Sequence, residues 1–156
     1  SERSKILYEA ERQILESLFP ALVFRLAGIY GPSRNRIPGL QERLKENMPN
    51  RYLNMIHRDD VASAVCLFME RGEAGGLYLG VDDEPVPQFE FYAWLAKACS
   101  LSSPAALKAQ SPSPFGRRYR NQRLKSLGFQ FRYPTFREGY QALLKNKGCE
   151  LGSRNK

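Results

Sequence analysis

Two groups of arginines could bind an anionic ligand. The first comprises Arg34 and Arg36, and the second comprises Arg117, Arg118, Arg120 and Arg123. A guanidinium suits phosphate and carboxylate groups because it can donate to two oxygens at once. Arginine is also an ordinary surface residue, so each of these side chains has two interpretations, as a ligand-binding group or as solvated charge.

The turn that precedes Arg34 is a second candidate for ligand contact. Residues 21–30 form a nearly continuous apolar run that Gly31-Pro32 ends, and such a run is typical of a parallel strand covered on both faces. Open α/β sheets bind ligands beyond the carboxyl ends of their strands, which is where residues 28–32 fall. Ala27 and Gly28 are small enough for a flat ring to approach the backbone. The alternative is a buried strand followed by an ordinary turn.

The single histidine, His57, could in principle bind a metal or transfer a proton. It stands just before Asp59 and Asp60, either of which can cap a helix that starts there. A structural role for His57 is therefore favoured, and no metal site is predicted.

Composition indicates a globular protein. The chain has 156 residues, 42% hydrophobic and 26% charged, which is enough for a domain with a core. No apolar run approaches membrane-spanning length and no leader pattern opens the chain. The scattered cysteines, at positions 66, 99 and 149, favour reduced thiols and a cytoplasmic setting.

Charge is distributed unevenly. Residues 1–90 hold 11 Lys and Arg against 14 Asp and Glu, whereas residues 91–156 hold 13 against 2. No acidic residue occurs between Glu90 and Glu138. Such a basic stretch indicates a solvated face or an anionic partner.

The elements predicted from hydrophobic periodicity and from the positions of glycine and proline alternate between helix and strand. Helices are expected over 4–18, 38–47, about 60–71, 88–99, 121–128 and 135–145, the last opened by a Thr-Phe-Arg-Glu capping box. Extended segments are expected over 21–30, 52–56, 76–81 and 129–133, with a loop over 101–116 and a frayed tail from 146. A helix followed by a buried strand is the return half of a βαβ unit, which predicts an α/β fold with a parallel sheet.

Two of these helices carry apolar stripes that predict which side faces the core. The stripe of the first helix is Leu7, Ala10, Ile14 and Leu18. The stripe of the helix after His57 is Val61, Ala64, Val65, Phe68 and Met69. By contrast, the aromatic residues that follow Pro87 are expected to pack in the core rather than to stack on a ligand: Phe89, Phe91, Tyr92 and Trp94.

Five short motifs in a fixed order resemble one known family. They begin with Arg25-Leu-Ala-Gly-Ile-Tyr-Gly-Pro, Asn54-Met-Ile-His-Arg-Asp-Asp and Tyr78-Leu-Gly-Val-Asp-Asp-Glu-Pro, and continue with Asn121-Gln-Arg-Leu-Lys-Ser-Leu-Gly and Tyr133-Pro-Thr-Phe-Arg-Glu-Gly. Each is weak alone, but together they span about residues 4–145. In this order they resemble the carboxyl half of an extended short-chain dehydrogenase/reductase, the NAD-dependent epimerase/dehydratase family.

The resemblance implies a fold and a division of the chain. Residues 1–85 would be the last strands and helices of a partial doubly wound, Rossmann-like parallel sheet. Residues 86–146 would form a small substrate-binding lobe, and residues 147–156 a frayed tail. The family binds NAD or NADP through a Gly-rich strand-turn-helix, and no segment here matches that motif.

The resemblance also implies site residues. The catalytic lysine of the family would be Lys5, although Ser1 stands where the family has its tyrosine. The alternative for Lys5 is a solvated lysine in the first turn of the helix. The residues that would flank the cofactor are Leu26, Ala27, Gly28, Tyr30, Gly31 and Pro32. Those that would hold the phosphates of a small-molecule substrate, such as a nucleotide sugar, are Arg34, Arg36, Arg117 and Arg120.

The favoured interpretation is the carboxyl-terminal portion of an oxidoreductase of this family. Alone it would bind no NAD(P) tightly and would not turn over, and its exposed apolar surface would self-associate or await the amino-terminal half. One alternative is a basic module for nucleic acid or another polyanion, because Phe115, Tyr119, Phe129 and Phe131 interleave with arginines. Another is a structural partner that completes its sheet with a second chain. No membrane partner is expected, and nucleic acid is the less favoured partner.

Overall fold

A computed structural model describes residues 2–46, 48–102 and 114–146. The helices are α1 (Glu2–Leu15), α2 (Leu40–Arg43), α3 (Arg58–Arg71), α4 (Gln88–Ala98), α5 (Gln122–Ser126) and α6 (Phe136–Asn146). The strands are β1 (Val23–Leu26), β2 (Gly28–Tyr30), β3 (Tyr52–Leu53), β4 (Met55–His57), β5 (Leu77–Gly80) and β6 (Val86–Pro87). The α/β fold class predicted from the sequence is confirmed. Most of the loop predicted over 101–116 and the tail from 147 lie outside the described residues.

The apolar run 21–30 forms two successive strands rather than the single strand predicted, and each pairs with a different strand. β1 pairs with β5 and β2 pairs with β4, both in parallel. The change occurs at Ala27, whose N–H donates to the Gly80 carbonyl, while the next N–H, that of Gly28, donates to the Asn54 carbonyl. A third pair, β3 with β6, is antiparallel. The run is therefore interrupted because the chain changes its hydrogen-bonding partner between two neighbouring strands.

The first helix forms as predicted but ends at Leu15, and none of its residues is buried. A side-chain contact ties it to β1, in which Arg25 donates to the Glu11 carboxylate from Nε at 3.0 Å and also from Nη2. The predicted apolar stripe does not enter a core, since Leu7, Ile14 and Leu18 are all exposed. α1 therefore presents an apolar face to solvent.

Helix α3 has a different cap from the one predicted. His57 is the N-cap, and its Nδ1 accepts the Asp59 N–H at 3.2 Å. The prediction that Asp59 or Asp60 caps this helix is therefore wrong. The imidazole can accept this bond because burial lowers the pKa of His57 and favours its neutral form.

The predicted buried stripe of α3 is only partly correct. Ala64 is buried, and Val61 and Phe68 are partly covered. Val65 and Met69 are exposed. Periodicity identified the face of the helix correctly at its centre, but the structure covers only one edge of that face.

Asp60 is buried and holds the segment before α6. Its carboxylate accepts the backbone N–H groups of Arg132 at 2.7 Å and Tyr133 at 3.1 Å. The strand predicted over residues 129–133 does not form. Its donors at 132 and 133 are bonded to this side chain rather than to a neighbouring strand, which explains the difference.

The main core joins α4 and α6 to the β2, β3 and β4 segments. Its most fully buried members include Phe91, Tyr92, Phe136 and Tyr140, and Phe89 and Trp94 pack against it. The core role predicted for these aromatic residues is confirmed. The capping box is confirmed too, since Thr135 donates from its N–H to Glu138 at 2.9 Å and accepts the Arg137 N–H at 3.1 Å. α6 therefore begins at a fixed point and delivers Tyr140 to the core.

Asn121 stands at the amino end of α5 as predicted, but its side chain does not cap the helix. Its Nδ2 donates instead to the Val81 carbonyl at 3.0 Å and to Asp83 Oδ1 at 2.7 Å. Lys125 also donates to Asp83. Asn121 thus ties the basic helix to the end of β5.

In the described part of the chain, no helix is long and apolar enough to cross a membrane. Cys66 is exposed and Cys99 is buried, whereas Cys149 lies outside the described residues. The cytoplasmic setting inferred from these cysteines stays a prediction.

Candidate functional site

A cleft of about 630 Å³ opens at the carboxyl end of β2, where sequence reasoning expected a ligand. Its floor is Ala27 together with the β2 strand, and its sides come from the loop after β2 and from the β3 and β4 segment. The lining residues are Ala27, Gly28, Ile29, Tyr30, Arg34, Asn35, Arg36, Pro38, Arg43, Arg51, Tyr52, Leu53, Asn54, Met55, Tyr119 and Tyr140.

The cleft is positively charged. Four of its lining residues are arginines, at positions 34, 36, 43 and 51, and none of the described lining residues is acidic. Opposite charge in a concave site attracts anions and concentrates them locally. The arrangement can therefore bind a group such as a phosphate or a carboxylate.

The four arginines differ in how firmly they are held. Arg36 donates from Nη1 to the Tyr92 hydroxyl at 2.9 Å, and its guanidinium lies 5.8 Å from the Phe91 ring centroid. Arg51 donates from Nε to Gln88 at 3.3 Å. The side chains of Arg34 and Arg43 make no hydrogen bond or ion pair with a described residue. Arg36 and Arg51 are thus held by neighbouring side chains, while no described residue occupies the side-chain donors of Arg34 and Arg43.

Asn35 shapes the loop that carries Arg34 and Arg36. Its Nδ2 donates to the carbonyls of Gly31 and Pro32, both at 3.1 Å, and its Oδ1 accepts the Ile37 N–H at 3.1 Å. Such bonds from Asn to nearby backbone are typical of turns. They fix the loop in the shape that turns Arg34 and Arg36 toward the cleft.

Only some of the residues that the resemblance predicts beside the cofactor line the cleft. Ala27, Gly28 and Tyr30 line the cleft. Leu26 lies against Gly80, and Gly31 lies under the side chain of Arg58. Neither of these two lines the cleft, and nor does the exposed Pro32.

Gly28 has a reason to be glycine that needs no ligand. A Cβ there would lie 3.2 Å from the Asn54 carbonyl oxygen, which already accepts the Gly28 N–H. The contact is tighter than side chains ordinarily make. Close packing of β2 against the segment at Asn54 therefore explains a glycine at position 28. This packing explains it as well as the approach of a flat ligand ring would.

The other predicted site residues lie outside the cleft. Lys5 is an exposed residue of α1, next to Ile6 and Glu9. Arg120 lines a neighbouring pocket of about 340 Å³ beside Asp82 and Asp83. Arg117 lines neither cavity, and its carbonyl accepts Asn54 Nδ2 at 2.9 Å.

Sequence reasoning missed several residues of the cleft. Arg43, Arg51 and Tyr52 line it although none was proposed as a site residue, and Tyr119, which was named only for the polyanion alternative, lines it as well. Arg51 stands three residues before the Asn54 motif, and this proximity was the one signal that could have identified it. Arg43 lies on α2, four residues after Gly39, and no motif marks it.

Two buried polar atoms have no hydrogen-bond partner among the described residues: the hydroxyl of Tyr30, which lines the cleft, and Asp82 Oδ2, whose residue lines the neighbouring pocket. The Tyr30 ring stacks on Tyr140 at 4.9 Å and meets His57 edge-on at 5.2 Å. Burial raises the pKa of Tyr30 above its ordinary value, and the nearby Asp82 raises it further. Tyr30 is therefore neutral and unsuited to act as a phenolate base.

Asp82 is only 2% exposed, and burial is the main reason that its pKa rises to about 8. Glu84, Asp83 and Glu138 raise the pKa of Asp82 as well, and the Glu84 N–H that it accepts at 3.2 Å opposes the shift. At neutral pH this carboxyl is mostly protonated. It follows β5 and lines the neighbouring pocket rather than the cleft.

The cleft fits the flat nicotinamide ring of a dinucleotide better than it fits the pyrophosphate. Its floor at Ala27 and Gly28 offers a small-residue surface to a flat ring. No helix of the described residues follows a Gly-rich turn at the end of a strand, which is where a pyrophosphate binds in such folds. The amino end of α3 is already capped by His57. No group of three or more His, Cys, Asp or Glu in the described segments is arranged to hold a metal ion.

Comparison with known proteins gives matches among solved structures. No protein-family model and no curated protein matches the chain. A structure from Methylobacillus flagellatus, provisionally described as an NAD-dependent epimerase/dehydratase, is 33% identical with a TM-score of 0.79, over 92% of this chain and 52% of that one. A conserved protein of unknown function from Silicibacter pomeroyi is 31% identical with a TM-score of 0.73, over 92% and 56%.

A third match shows the fold alone. The dTDP-glucose 4,6-dehydratase of Bacillus anthracis, solved in complex with NAD, is 18% identical with a TM-score of 0.71, over 97% of this chain and 54% of that one. The chain thus spans about half the length of the solved structures that it matches. The likeness to NAD-dependent epimerase/dehydratase proteins that the sequence predicted is confirmed, since the chain is a structural relative of one structure described in that way.

Proposed function

We propose that these residues form the carboxyl-terminal, substrate-binding part of an NAD(P)-dependent epimerase/dehydratase-like oxidoreductase. The proposal is supported by the order of the five motifs and by the match to about half of each solved relative. In this proposal residues 1–85 are the end of the Rossmann-like sheet and residues 86–146 the small lobe. The cleft between the β2 loop and the β3 and β4 segment is where substrate meets the chain.

One observation carries the assignment of the cleft, namely that four arginines and no acid line it among the described residues. Two of the guanidiniums are braced by Tyr92 and Gln88, so they can contribute charge without losing much conformational entropy on binding. The substrate is then a small molecule with a phosphate or diphosphate, of which a nucleotide sugar is one example. The nucleotide-sugar enzyme among the matches is consistent with that class.

Replacing either unbraced arginine should weaken anion binding. We expect Arg34→Ala and Arg43→Ala each to lower the affinity for inorganic pyrophosphate by about tenfold, because each removes a charge-assisted contact. Isothermal titration calorimetry at one ionic strength measures this change. Arg3→Ala, which removes an exposed arginine of α1, is the matched control and should leave the affinity unchanged. Equal losses in all three variants would show that net charge, not the cleft, attracts the anion.

The chain by itself should not bind NADH or NADPH tightly. The sequence has no Gly-rich turn of the kind that holds a dinucleotide pyrophosphate. We expect a fluorescence titration to give no saturable signal below millimolar cofactor, and no turnover with it. A micromolar dissociation constant would contradict this prediction and would require a phosphate site elsewhere.

A polyanion-binding role is the second candidate. It is favoured by the exposure of Phe115 and Tyr119 beside the arginines of residues 117–123. Exposed aromatic and basic residues together are what binders of single strands use. Salt separates the two roles, because affinity for a nucleic acid would fall by orders of magnitude between 50 and 200 mM salt, whereas one diphosphate in a small cleft releases few counterions.

The isolated chain should associate with itself through its apolar surface. Ile6, Leu7, Ile14, Leu18 and Phe19 are all exposed, and β1 is hydrogen-bonded on one side only within the described residues. Exposed apolar faces and unpaired strand edges are sites of association. We expect sedimentation velocity at several concentrations to show dimers or larger species, and Leu7→Lys with Ile14→Lys to reduce them. A monomer at every concentration would contradict the prediction.

A further inference from the structure

We infer that Asn54 is a positioning residue that holds one wall of the arginine-lined cleft. This inference rests on the proposed function of that cleft. The wall in question is the segment 115–119, which comes from the basic part of the chain and contributes Tyr119 to the cleft lining.

Asn54 bonds to this segment through both ends of its amide. Nδ2 donates to the Arg117 carbonyl at 2.9 Å, and Oδ1 accepts the Tyr119 N–H at 2.8 Å. An amide can make both bonds because it carries donors and an acceptor side by side, which no other small side chain except that of Gln offers. Asn54 thereby fixes the backbone on both sides of Arg118.

The backbone of Asn54 is bonded to the opposite part of the cleft. Its carbonyl accepts the Gly28 N–H at 3.0 Å. The cleft floor at Gly28 and the wall at Tyr119 are therefore linked through a single residue. A change at Asn54 should alter the distance between them without touching any arginine of the cleft.

Other contacts align the start of the same wall with the β3 segment. The Tyr52 N–H donates to the Phe115 carbonyl at 2.9 Å, and the Phe115 N–H donates to the Asn50 carbonyl at 3.0 Å. Arg118 places its guanidinium 5.2 Å from the centroid of the Tyr52 ring. The start of the wall is thus held by backbone, and its end at Tyr119 is held by the side chain of Asn54.

The position of Tyr119 decides the shape of the site. It lines both the 630 Å³ cleft and the neighbouring 340 Å³ pocket that contains Arg118 and Arg120. With Asn54 in place, Tyr119 borders both cavities. Without it, the wall can shift and a bound anion loses one side of its enclosure.

Amide hydrogen exchange and pyrophosphate titration together test the inference. In Asn54→Ala we expect exchange at the Tyr119 amide to accelerate by about tenfold, because that amide loses its hydrogen bond. We also expect the affinity for pyrophosphate to fall several-fold. Ser126→Ala, which removes a side-chain-to-backbone bond of similar kind in α5, is the control and should change neither quantity. Asn54→Asp keeps an acceptor for the Tyr119 N–H, so the Tyr119 amide should exchange more slowly in this variant than in Asn54→Ala.

The outcomes separate this inference from the proposed function. If the wild-type chain does not bind pyrophosphate, the proposed function fails, while exchange at Tyr119 still decides whether Asn54 holds the wall. Unchanged exchange in Asn54→Ala would overturn the inference, and so would faster exchange with unchanged pyrophosphate affinity. If Asn54→Ala does not fold, Asn54→Ser, which is too short to make both bonds, should show the same two changes.

Discussion

Replacing Asp60 with alanine should lower the free energy of unfolding by about 3 kcal/mol, because two backbone donors then lose their side-chain acceptor in a buried place. Those donors are the N–H groups of Arg132 and Tyr133. They lie just before α6, so the loss should also loosen the start of the helix that carries Tyr140 into the core. Urea unfolding followed by circular dichroism measures the change.

The neighbouring aspartate is a matched control for this prediction. Asp59 lies on the surface side, where it pairs with Arg58 at 3.2 Å, and exposed pairs of this kind contribute well under 1 kcal/mol. We expect Asp59→Ala to change the free energy of unfolding by less than about 0.5 kcal/mol. Similar losses in both variants would mean that the two aspartates share a capping role after all.

The free energy of unfolding should fall as the pH rises from about 4 to about 8, because Asp82 loses its proton at a lower pH in the unfolded chain than in the folded one. The folded pKa of Asp82, raised to about 8, lies above the ordinary value of 3.8. Between these values the unfolded chain gives up the proton and the folded chain keeps it, so each pH unit favours unfolding by up to about 1.4 kcal/mol. Below pH 4 and above pH 8 both states carry the same charge at this position, and the effect ends.

Asp82→Asn isolates this contribution from the other carboxylates. Asparagine has the shape of the protonated side chain and does not titrate. The variant should therefore gain stability over the wild type as the pH rises from 4 to 8, and the gap between the two should be smallest at pH 4. Urea unfolding at four pH values measures it. A gap that does not change with pH would show that Asp82 is ionised in the folded chain.

Much of the fold could be predicted from the sequence because local signals were strong and agreed with one another. Thr135 and Glu138 stand three residues apart, and this spacing identified the start of α6. Pro87 and the aromatic run after it identified α4 and its buried face. Both predictions rest on contacts within one element, which is why no knowledge of the remaining chain was needed.

Other features depended on partners distant in sequence. The bonds of Asp60 to residues 132 and 133 could not be predicted from the local Asp-Asp pattern, which suits a cap equally well. The break at Ala27 depends on β4 and β5, which lie far along the chain. For the same reason the cleft could be placed at the end of the apolar run, but its full lining could not be predicted. Arg43, Arg51 and Tyr119 enter it only because separate segments meet there.

The most direct test of the central claim is to map where an anion binds. With a uniformly ¹⁵N-labelled chain and inorganic pyrophosphate, the claim predicts that the largest amide shifts cluster on Gly28, residues 34–36, residues 51–54 and Tyr119, all of which belong to the cleft. The shifts should saturate together with one dissociation constant. Shifts that are confined to residues 120–132, or that never saturate, would contradict the claim and would favour a diffuse basic surface instead.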